Sequence, residues 1–185
     1  MGGVIEMYDL LILGSLLTGD KTGYKLQKIM SLALSPMRKI SNGILYPVLD
    51  KLEEQGLVTS QLHEDGRKSK LLHLTDKGRE HFFALMREPV PQDAKREDIL
   101  HFKLRSIDSV PVADQITILM QYREFMQKDL AIYQAAQKDM LDHAERLPDY
   151  AQRFQTLVAV YDLDIKVAET KIAWVDQRLG EIKRK

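Results

Sequence analysis

Basic and polar side chains gather at three places in the first half of the chain, where together they could bind the phosphates and base edges of DNA. The middle place, residues 41–46, contains no carboxylate, whereas Asp50, Glu53 and Glu54 follow soon after it. Phosphates favour cations and helix N-termini, and a nearby carboxylate would repel them. We therefore predict DNA contacts from Lys21, Thr22, Lys25, Arg38, Lys39, Ser41, Asn42, Tyr46, Arg67, Lys68 and Lys70.

Some of these residues have a second interpretation that the sequence leaves open. Ser41 and Asn42 stand where a helix is predicted to begin, so their side chains could cap it, read bases, or do both. Tyr46 lies four residues after Asn42 on the same helix face, where it could meet DNA or cover the edge of the core. Each cation taken singly is more often a solvated group at a loop. Their occurrence at three expected places favours DNA.

The residue types that enzymes and metal sites need are absent or unsuitably spaced. The chain has no cysteine, which excludes disulfides and thiol catalysis, and its five histidines show no i, i+4 ligand spacing. No paired acid and base stands out, nor does a Ser, His and Asp constellation. We therefore expect no enzymatic activity, no metal and no cofactor.

The elements that must position these residues are three helices, two strands and a further helix. Thr22 and Ser41 are suitable caps for the second and third helices, and Gly56 is a suitable stop for the third. Asp65-Gly66 between two strand-like runs predicts a hairpin. This order is that of a winged helix-turn-helix, in which the front of the third helix lies nearest the base edges in the major groove. Arg67, Lys68 and Lys70 would then lie at the wing.

The second half of the chain is predicted to form long helices. Pro89 and Pro91 separate it from the first half, and Gly180 is its one glycine. Apolar residues recur every three or four positions from Tyr150 to Ile182, which is a heptad-like seam. Such a wide apolar face predicts a homodimer, with an intramolecular helical hairpin as the alternative. The fold class is mainly α, with a DNA-binding domain at residues 1–88 and a helical dimerisation and possible effector domain at residues 89–185.

Aromatic and cationic residues of the second half could together hold a small aromatic acid. Such a ligand needs aromatic surfaces for stacking and a cation or hydroxyl for its polar group. The alternative is that these aromatic residues belong to the helical core, as they more often do. The candidate effector residues are Tyr122, Arg123, Tyr133, Tyr161, Lys166 and Trp174.

Overall charge and hydropathy exclude a bulk basic surface and a membrane span. Lys and Arg together number 27, as do Asp and Glu, so DNA binding would depend on local placement of charge and have a modest salt dependence. The longest apolar candidate, residues 10–17, is far shorter than the roughly 18 residues of a membrane helix. Before Lys21 the chain has no Lys or Arg, so it lacks a secretory signal pattern. We expect a cytoplasmic protein without a membrane partner.

Three segments resemble the PadR family of transcriptional regulators: GYKL from Gly23, ISNGILYPVLDKLEEQGLV from Ile40, and HLTDKG from His73. The Leu-Tyr-Pro step inside a helix is the most specific of these features. Family members often carry an aromatic residue where this chain has Leu72, and a Trp where it has Met37-Arg38. The long second half is similar to the larger-tailed branch, which includes regulators of phenolic acid decarboxylase and a virulence activator. The resemblance implies a dimerising tail, and repression relieved by a small molecule or a stress signal.

Pattern and resemblance together predict a homodimeric regulator that binds an inverted repeat in double-stranded DNA. Its two recognition helices would lie about 34 Å apart, one turn of DNA. The expected activity is repression released by a small molecule such as a phenolic acid, or by stress. Two alternatives stay open: a helical adaptor whose winged helix binds protein, and an architectural protein that binds DNA of any sequence.

Overall fold

The computed structural model describes residues 3–34, 40–62 and 70–184, with side chains from Met7 onward. Contacts between Cα atoms divide the chain into an N-terminal unit, Met1–Asp114, and a C-terminal unit, Gln115–Lys185. The domain boundary that the sequence suggests, between residues 88 and 89, stays a prediction. Mainly helical architecture with a winged helix-turn-helix in the first half is confirmed.

The N-terminal unit contains three helices, a small sheet and two further helices. Its elements are α1 (Gly3–Leu16), β1 (Lys21–Thr22), α2 (Gly23–Leu34), α3 (Asn42–Glu54), β2 (Val58–Leu62), β3 (Lys70–Leu74), α4 (Asp76–Arg87) and α5 (Arg96–Arg105). A single 3-10 turn follows at Ile107–Ser109. The predicted order of helices and strands is therefore correct, and β1 is an addition that the sequence did not indicate.

The sheet has the order β1-β3-β2, and both pairs of neighbours are antiparallel. In the wing, Val58 pairs with Leu74 at one end and Leu62 with Lys70 at the other. The turn expected at Asp65-Gly66 lies outside the described residues. Lys21 pairs with Leu72, so the start of α2 is joined by backbone hydrogen bonds to the wing.

The core of this unit surrounds α1, which is buried on nearly every side, as its continuous apolar sequence predicts. Helices α2 and α3 each pack an apolar face toward α1, and the residues of each face recur at helical spacing. They are Leu26 and Met30 on α2, and Leu45 and Leu52 on α3. Phe82 of α4 is fully buried as well. The buried faces of α2 and α3 thus pack on this core, and their opposite faces remain exposed.

The C-terminal unit is built from two long helices. Helix α6 (Val112–Arg146) begins at the end of the N-terminal unit, and α7 (Ala151–Ile182) follows a 3-10 turn at Pro148–Tyr150. Contacts that join α6 to α7 include those of Arg123 with Asp176, Gln137 with Val158, and His143 with Phe154. Because the numbers rise on one helix as they fall on the other, the helices run antiparallel as a hairpin. Across the described part of the chain, no helix combines the length and hydropathy that a membrane crossing requires.

Candidate nucleic-acid interface

Helix α3 has one buried and one exposed face. Leu45, Val48, Leu49 and Leu52 are buried at spacings of three and four residues. The helix ends in a Schellman motif, in which Leu57 N–H donates to Leu52 O and Gly56 N–H donates to Glu53 O, with Gly56 at φ +70. The front of the exposed face consists of Asn42, Gly43, Ile44, Tyr46 and Pro47.

The exposed front of α3 carries no acidic side chain in its first turn. Asp50, the first carboxylate, follows Asn42 by eight residues, which is about 12 Å along a helix. That distance exceeds the screening length of about 8 Å at physiological ionic strength, so Asp50 contributes little repulsion at the helix front. Glu53, further along the helix, is half-buried, accepts a hydrogen bond from Ser60 and lies 3.7 Å from the Lys70 ammonium.

Ser41 occupies the N-cap position of α3, but its hydroxyl forms no cap hydrogen bond within the described residues. The capping role considered for its side chain is therefore not adopted here. The Ser41 carbonyl accepts the first helical hydrogen bonds, from the N–H groups of Ile44 and Leu45, both at 3.1 Å. Asn42 also uses its side chain elsewhere, because its Oδ1 accepts a hydrogen bond from Gln27 of α2. Both polar side chains stay exposed at the helix front.

Tyr46 lies against the start of α2 and keeps about half of its surface exposed, at 49%. A Cβ added at Gly23 would lie 3.6 Å from the Tyr46 hydroxyl oxygen, so the ring passes close to that glycine. This contact places Tyr46 on the same surface as the first turn of α2. Tyr46 thus covers Gly23 at the edge of the core and also faces solvent, and its contact with DNA stays a prediction.

The first turn of α2 adds cations to this surface. Thr22 caps the helix by accepting a hydrogen bond from Lys25 N–H at 3.3 Å, and the Lys25 side chain is exposed. Lys28, one turn further on, is exposed too and was missed, because a lone lysine inside a helix has no distinguishing pattern. Gln27 was likewise not predicted from the sequence, because a single polar residue inside a helix has no distinguishing pattern.

Lys21 differs from the other predicted contacts because it is only 7% exposed. Its Nζ donates to the Thr18 hydroxyl at 3.0 Å and to the Gly19 carbonyl at 2.8 Å. Burial, and after it the charge of Lys25, lowers the pKa of Lys21. The ammonium therefore stabilises the turn between α1 and β1, and we propose no DNA contact for Lys21.

On the wing, Lys70 is the described member of the predicted basic group. It is exposed at the start of β3, near Glu53 of α3. Arg38, Lys39, Arg67 and Lys68 lie outside the described residues, so their predicted roles stay predictions.

The six candidate effector residues are spread along α6 and α7. Tyr122 is buried, and Tyr133 and Tyr161 are half-buried. The two cations have carboxylate partners: Arg123 Nε lies 2.6 Å from Asp176 and Lys166 Nζ lies 2.5 Å from Asp162. The hydrogen bond to Asp162 raises the pKa of Lys166. Trp174 is 42% exposed, so this chain alone does not enclose it.

A small cavity lies in the N-terminal unit, among apolar side chains of α1, α4 and α5 beside Lys103. Its volume is about 80 Å³, well below the roughly 300 Å³ at which ligand pockets begin. No predicted effector residue lines it. Lys103 donates from Nζ to the carbonyls of Met86 (3.0 Å) and Glu88 (2.5 Å), and burial lowers its pKa to about 8. Among the described residues, no three His, Asp or Glu side chains lie close enough together to hold a metal ion.

The structure has the features of the winged helix-turn-helix class of transcriptional regulators. These are three packed helices, of which the third has a carboxylate-free front, and an antiparallel wing. Residues 12–84 match the Transcriptional regulator PadR-like family, and residues 96–183 match the Virulence activator alpha C-term family. The first half of the chain therefore contains a PadR-like transcriptional regulator domain, and the second half is similar to the C-terminal domain of a virulence activator.

A curated relative is the Negative transcriptional regulator PadR of Bacillus subtilis, 30% identical over 93 residues. That match covers 48% of this chain and only 51% of the relative, about half its length. Among solved structures, Bacillus subtilis PadR in complex with operator DNA aligns with 21% identity, a TM-score of 0.42, and coverage of 94% of this chain and 96% of that one. The complex of Bacillus subtilis PadR with p-coumaric acid aligns with 20% identity, a TM-score of 0.42 and 99% coverage of both chains.

Proposed function

We propose that this regulator binds double-stranded DNA as a homodimer, reads an inverted repeat through the front of α3, and represses transcription until a small molecule or a stress signal releases it. The observation that carries the proposal is the exposed, carboxylate-free front of α3 beside the cations of α2. The proposed contacts there are Thr22, Lys25, Lys28, Ser41, Asn42 and Tyr46. Its place of action would be the cytoplasm.

Affinity on this surface would come from phosphate contacts and selectivity from base contacts. Lys25 and Lys28 are exposed on α2, one turn apart, and can pair with phosphates. Ser41, Asn42 and Tyr46 occupy the front of α3, which lies nearest the base edges when such a helix enters the major groove. Lys70 would add a phosphate contact from the wing, with Arg38, Lys39, Arg67 and Lys68 extending both regions.

The homodimer is supported by an apolar stripe along α7 that remains exposed in the single chain. Val160, Leu163, Val167 and Trp174 recur at helical spacing and are 42–62% exposed. Since the hairpin with α6 leaves them uncovered, a second copy is the partner we propose for them. A twofold dimer would present two α3 helices to the two halves of an inverted repeat.

Repression is proposed from the relative that is named a negative regulator. A regulator that covers a promoter prevents transcription, and an effector can reverse this only if it binds the free protein more tightly than the DNA-bound protein. An aromatic acid would suit the aromatic residues of α6 and α7, namely Tyr122, Tyr133, Tyr161 and Trp174. It would require Arg123 or Lys166 to exchange its present carboxylate partner for the ligand.

Transcription in vitro from a promoter overlapping a selected duplex tests repression and release together. We expect the protein to lower transcript yield from this template and not from a template with a scrambled duplex. Adding p-coumaric acid, the ligand crystallised with Bacillus subtilis PadR, should restore the yield. A rise in transcripts on adding the protein would instead identify an activator. Unchanged repression across a series of aromatic acids and oxidants would overturn release by these signals.

A further inference from the structure

A bridge from Gln27 of α2 holds the first residue of the recognition helix. Gln27 Nε2 donates to the Ile40 carbonyl and to Asn42 Oδ1, each at 2.9 Å. One turn further along α2, Ser31 Oγ accepts the Ile40 N–H at 3.4 Å. The backbone of residue 40 is thus tied to α2 through both its N–H and its C=O. We call the two hydrogen bonds of Gln27 the Gln27–Asn42 bridge.

The bridge determines which way both side-chain amides point. A carbonyl oxygen can only accept, so the atom of Gln27 beside Ile40 must be its nitrogen. An amide nitrogen can only donate, so the atom of Asn42 that meets it must be Oδ1. The two hydrogens on Gln27 Nε2 account for both bonds. The orientation of the Asn42 amide therefore follows from a backbone group, which cannot be flipped.

With Oδ1 held in this way, Asn42 offers mainly hydrogen-bond donors to a ligand. Asn42 is exposed at the first position of α3, and its Nδ2 has no hydrogen-bond partner within the described protein residues. Guanine presents two acceptors in the major groove, O6 and N7, whereas adenine presents the N7 acceptor and the N6 donor. To bind both N7 and N6 of adenine, Asn42 would have to accept from N6 with Oδ1, which already accepts from Gln27. To bind O6 and N7 of guanine, Asn42 needs only the two hydrogens of Nδ2.

We propose that Gln27 is a positioning residue for base recognition and that Asn42 selects guanine through its Nδ2 donors. This inference rests on the proposed function, since it assumes that the front of α3 enters the major groove. Gln27 itself makes no DNA contact in this account. It sets the amide of Asn42 before DNA arrives, so that no rotamer search is needed on binding.

The test uses duplexes selected by the full-length protein and then changed, one position at a time, to each of the other base pairs. The wild-type protein should prefer guanine at one position of each half-site by about tenfold over adenine, the scale of one good base contact. Gln27→Leu removes the bridge and should reduce that preference several-fold at the same position only. Asn42→Asp keeps the acceptor for Gln27 but loses both donors, so it should lose the guanine preference altogether.

Controls separate this inference from folding and from DNA binding in general. Gln55→Leu alters an exposed glutamine at the far end of α3 and should leave the whole preference profile unchanged. Thermal unfolding of each variant identifies any that is misfolded, and Gln27→Met then replaces a misfolded Gln27→Leu. Loss of affinity by equal factors on all duplexes, or an unchanged profile in the Gln27 variants, would overturn the bridge's role. A wild-type protein without any base preference would overturn the proposed function itself.

Discussion

Tyr46 is the residue at which the two helices of the candidate interface, α2 and α3, meet, because its ring passes over Gly23 while half of its surface faces solvent. We expect Tyr46→Ala to weaken binding to a selected duplex by about tenfold and binding to random DNA by much less, since base contacts and not phosphate contacts discriminate between sequences. Tyr46→Phe retains the packing on Gly23 and serves as the matched control. Titrations followed by fluorescence anisotropy measure both affinities. Equal losses on the two DNAs would argue against a position beside the bases.

Lys28 is exposed on α2 one turn beyond Tyr24, where it can reach a phosphate. Lys28→Ala should lower affinity for all duplexes alike and reduce the slope of log K against log salt concentration by about 0.9, the effect of one lost phosphate contact. Lys77→Ala is the control, because Lys77 donates to the Gln55 carbonyl at the other end of α3. A salt series of anisotropy titrations provides the slopes. Identical slopes for wild type and Lys28→Ala would remove Lys28 from the interface.

Lys103 has a pKa lowered to about 8 by burial, against 10.5 for an exposed lysine. Between these two values the unfolded chain binds a proton at this lysine that the folded chain has lost. The free energy of unfolding should therefore rise as the pH increases from about 8 to 10.5, by about 1 kcal/mol per pH unit over most of this range. Below pH 8 the lysine is protonated in both states, so this gain in stability is lost. Urea unfolding at pH 8.5 and 9.5 measures the rise.

Lys103→Met lacks the titrating group and is the reference for that measurement. The change in unfolding free energy between the two pH values should be larger for the wild type than for this variant. A difference of zero would mean that Lys103 keeps an ordinary pKa in the folded protein, with its ammonium stabilised by the Met86 and Glu88 carbonyls.

Single residues were predictable where a local pattern indicates them and unpredictable where distant partners decide. The carboxylate-free front of α3 can be read directly from residues 41–46. The burial of Lys21 cannot, because lysine is rarely buried and its partners depend on how the chain turns before β1. The bond between Gln27 and Asn42 joins residues 15 positions apart, and no spacing rule covers it.

At the scale of the element, α3 contains a proline that its stability does not require. Pro47 is the sixth residue of the helix, and it has no N–H to donate to the Gly43 carbonyl. We expect Pro47→Ala to raise the free energy of unfolding by about 1–3 kcal/mol, because Pro47 is exposed and its loss leaves no cavity. Chemical denaturation measures the change, with Asp50→Ala as a second exposed site on the same helix. Destabilisation by Pro47→Ala would show that the ring contributes packing that its exposure does not suggest.

The ends of the elements were largely predictable because capping is local chemistry. Thr75 accepts from Gly78 N–H at 3.0 Å, and Gly56 adopts the positive φ expected just past a helix. Ser41 is the exception, since its hydroxyl forms no cap bond within the described residues. Strand β1 could not be predicted, because two residues carry no alternation and their pairing depends on β3.

At the scale of the whole molecule, the exposed apolar stripe of α7 predicts self-association. Leu163→Asp places a charge in that stripe and should shift the protein from dimer toward monomer, since a buried unpaired carboxylate is costly. Leu32→Asp changes a similarly exposed leucine of α2, 68% against 62%, and should leave the mass unchanged. Sedimentation velocity distinguishes the two species. A monomeric wild-type protein, or a dimer that survives Leu163→Asp, would exclude this stripe as the interface.

Long-range organisation was predicted only in outline. The spacing of apolar residues indicated the long helices, and the two prolines indicated the break before them. Apolar spacing cannot distinguish a partner helix in the same chain from one in a second copy. The structure shows an antiparallel hairpin of α6 and α7 and still leaves apolar residues uncovered on α7. The structure therefore contains the intramolecular hairpin, and the dimer stays a prediction.

The central claim is that this chain reads DNA sequence through the front of α3, and selection of bound duplexes from a random pool at near-physiological salt tests it most directly. We predict enrichment of an inverted repeat whose half-sites are centred about one helical turn apart. Selection in parallel with Asn42→Asp should yield a different half-site or none. Retention without enrichment would contradict sequence reading and favour an architectural protein. No retention, with or without aromatic acids, would contradict DNA binding and favour a winged helix that binds protein.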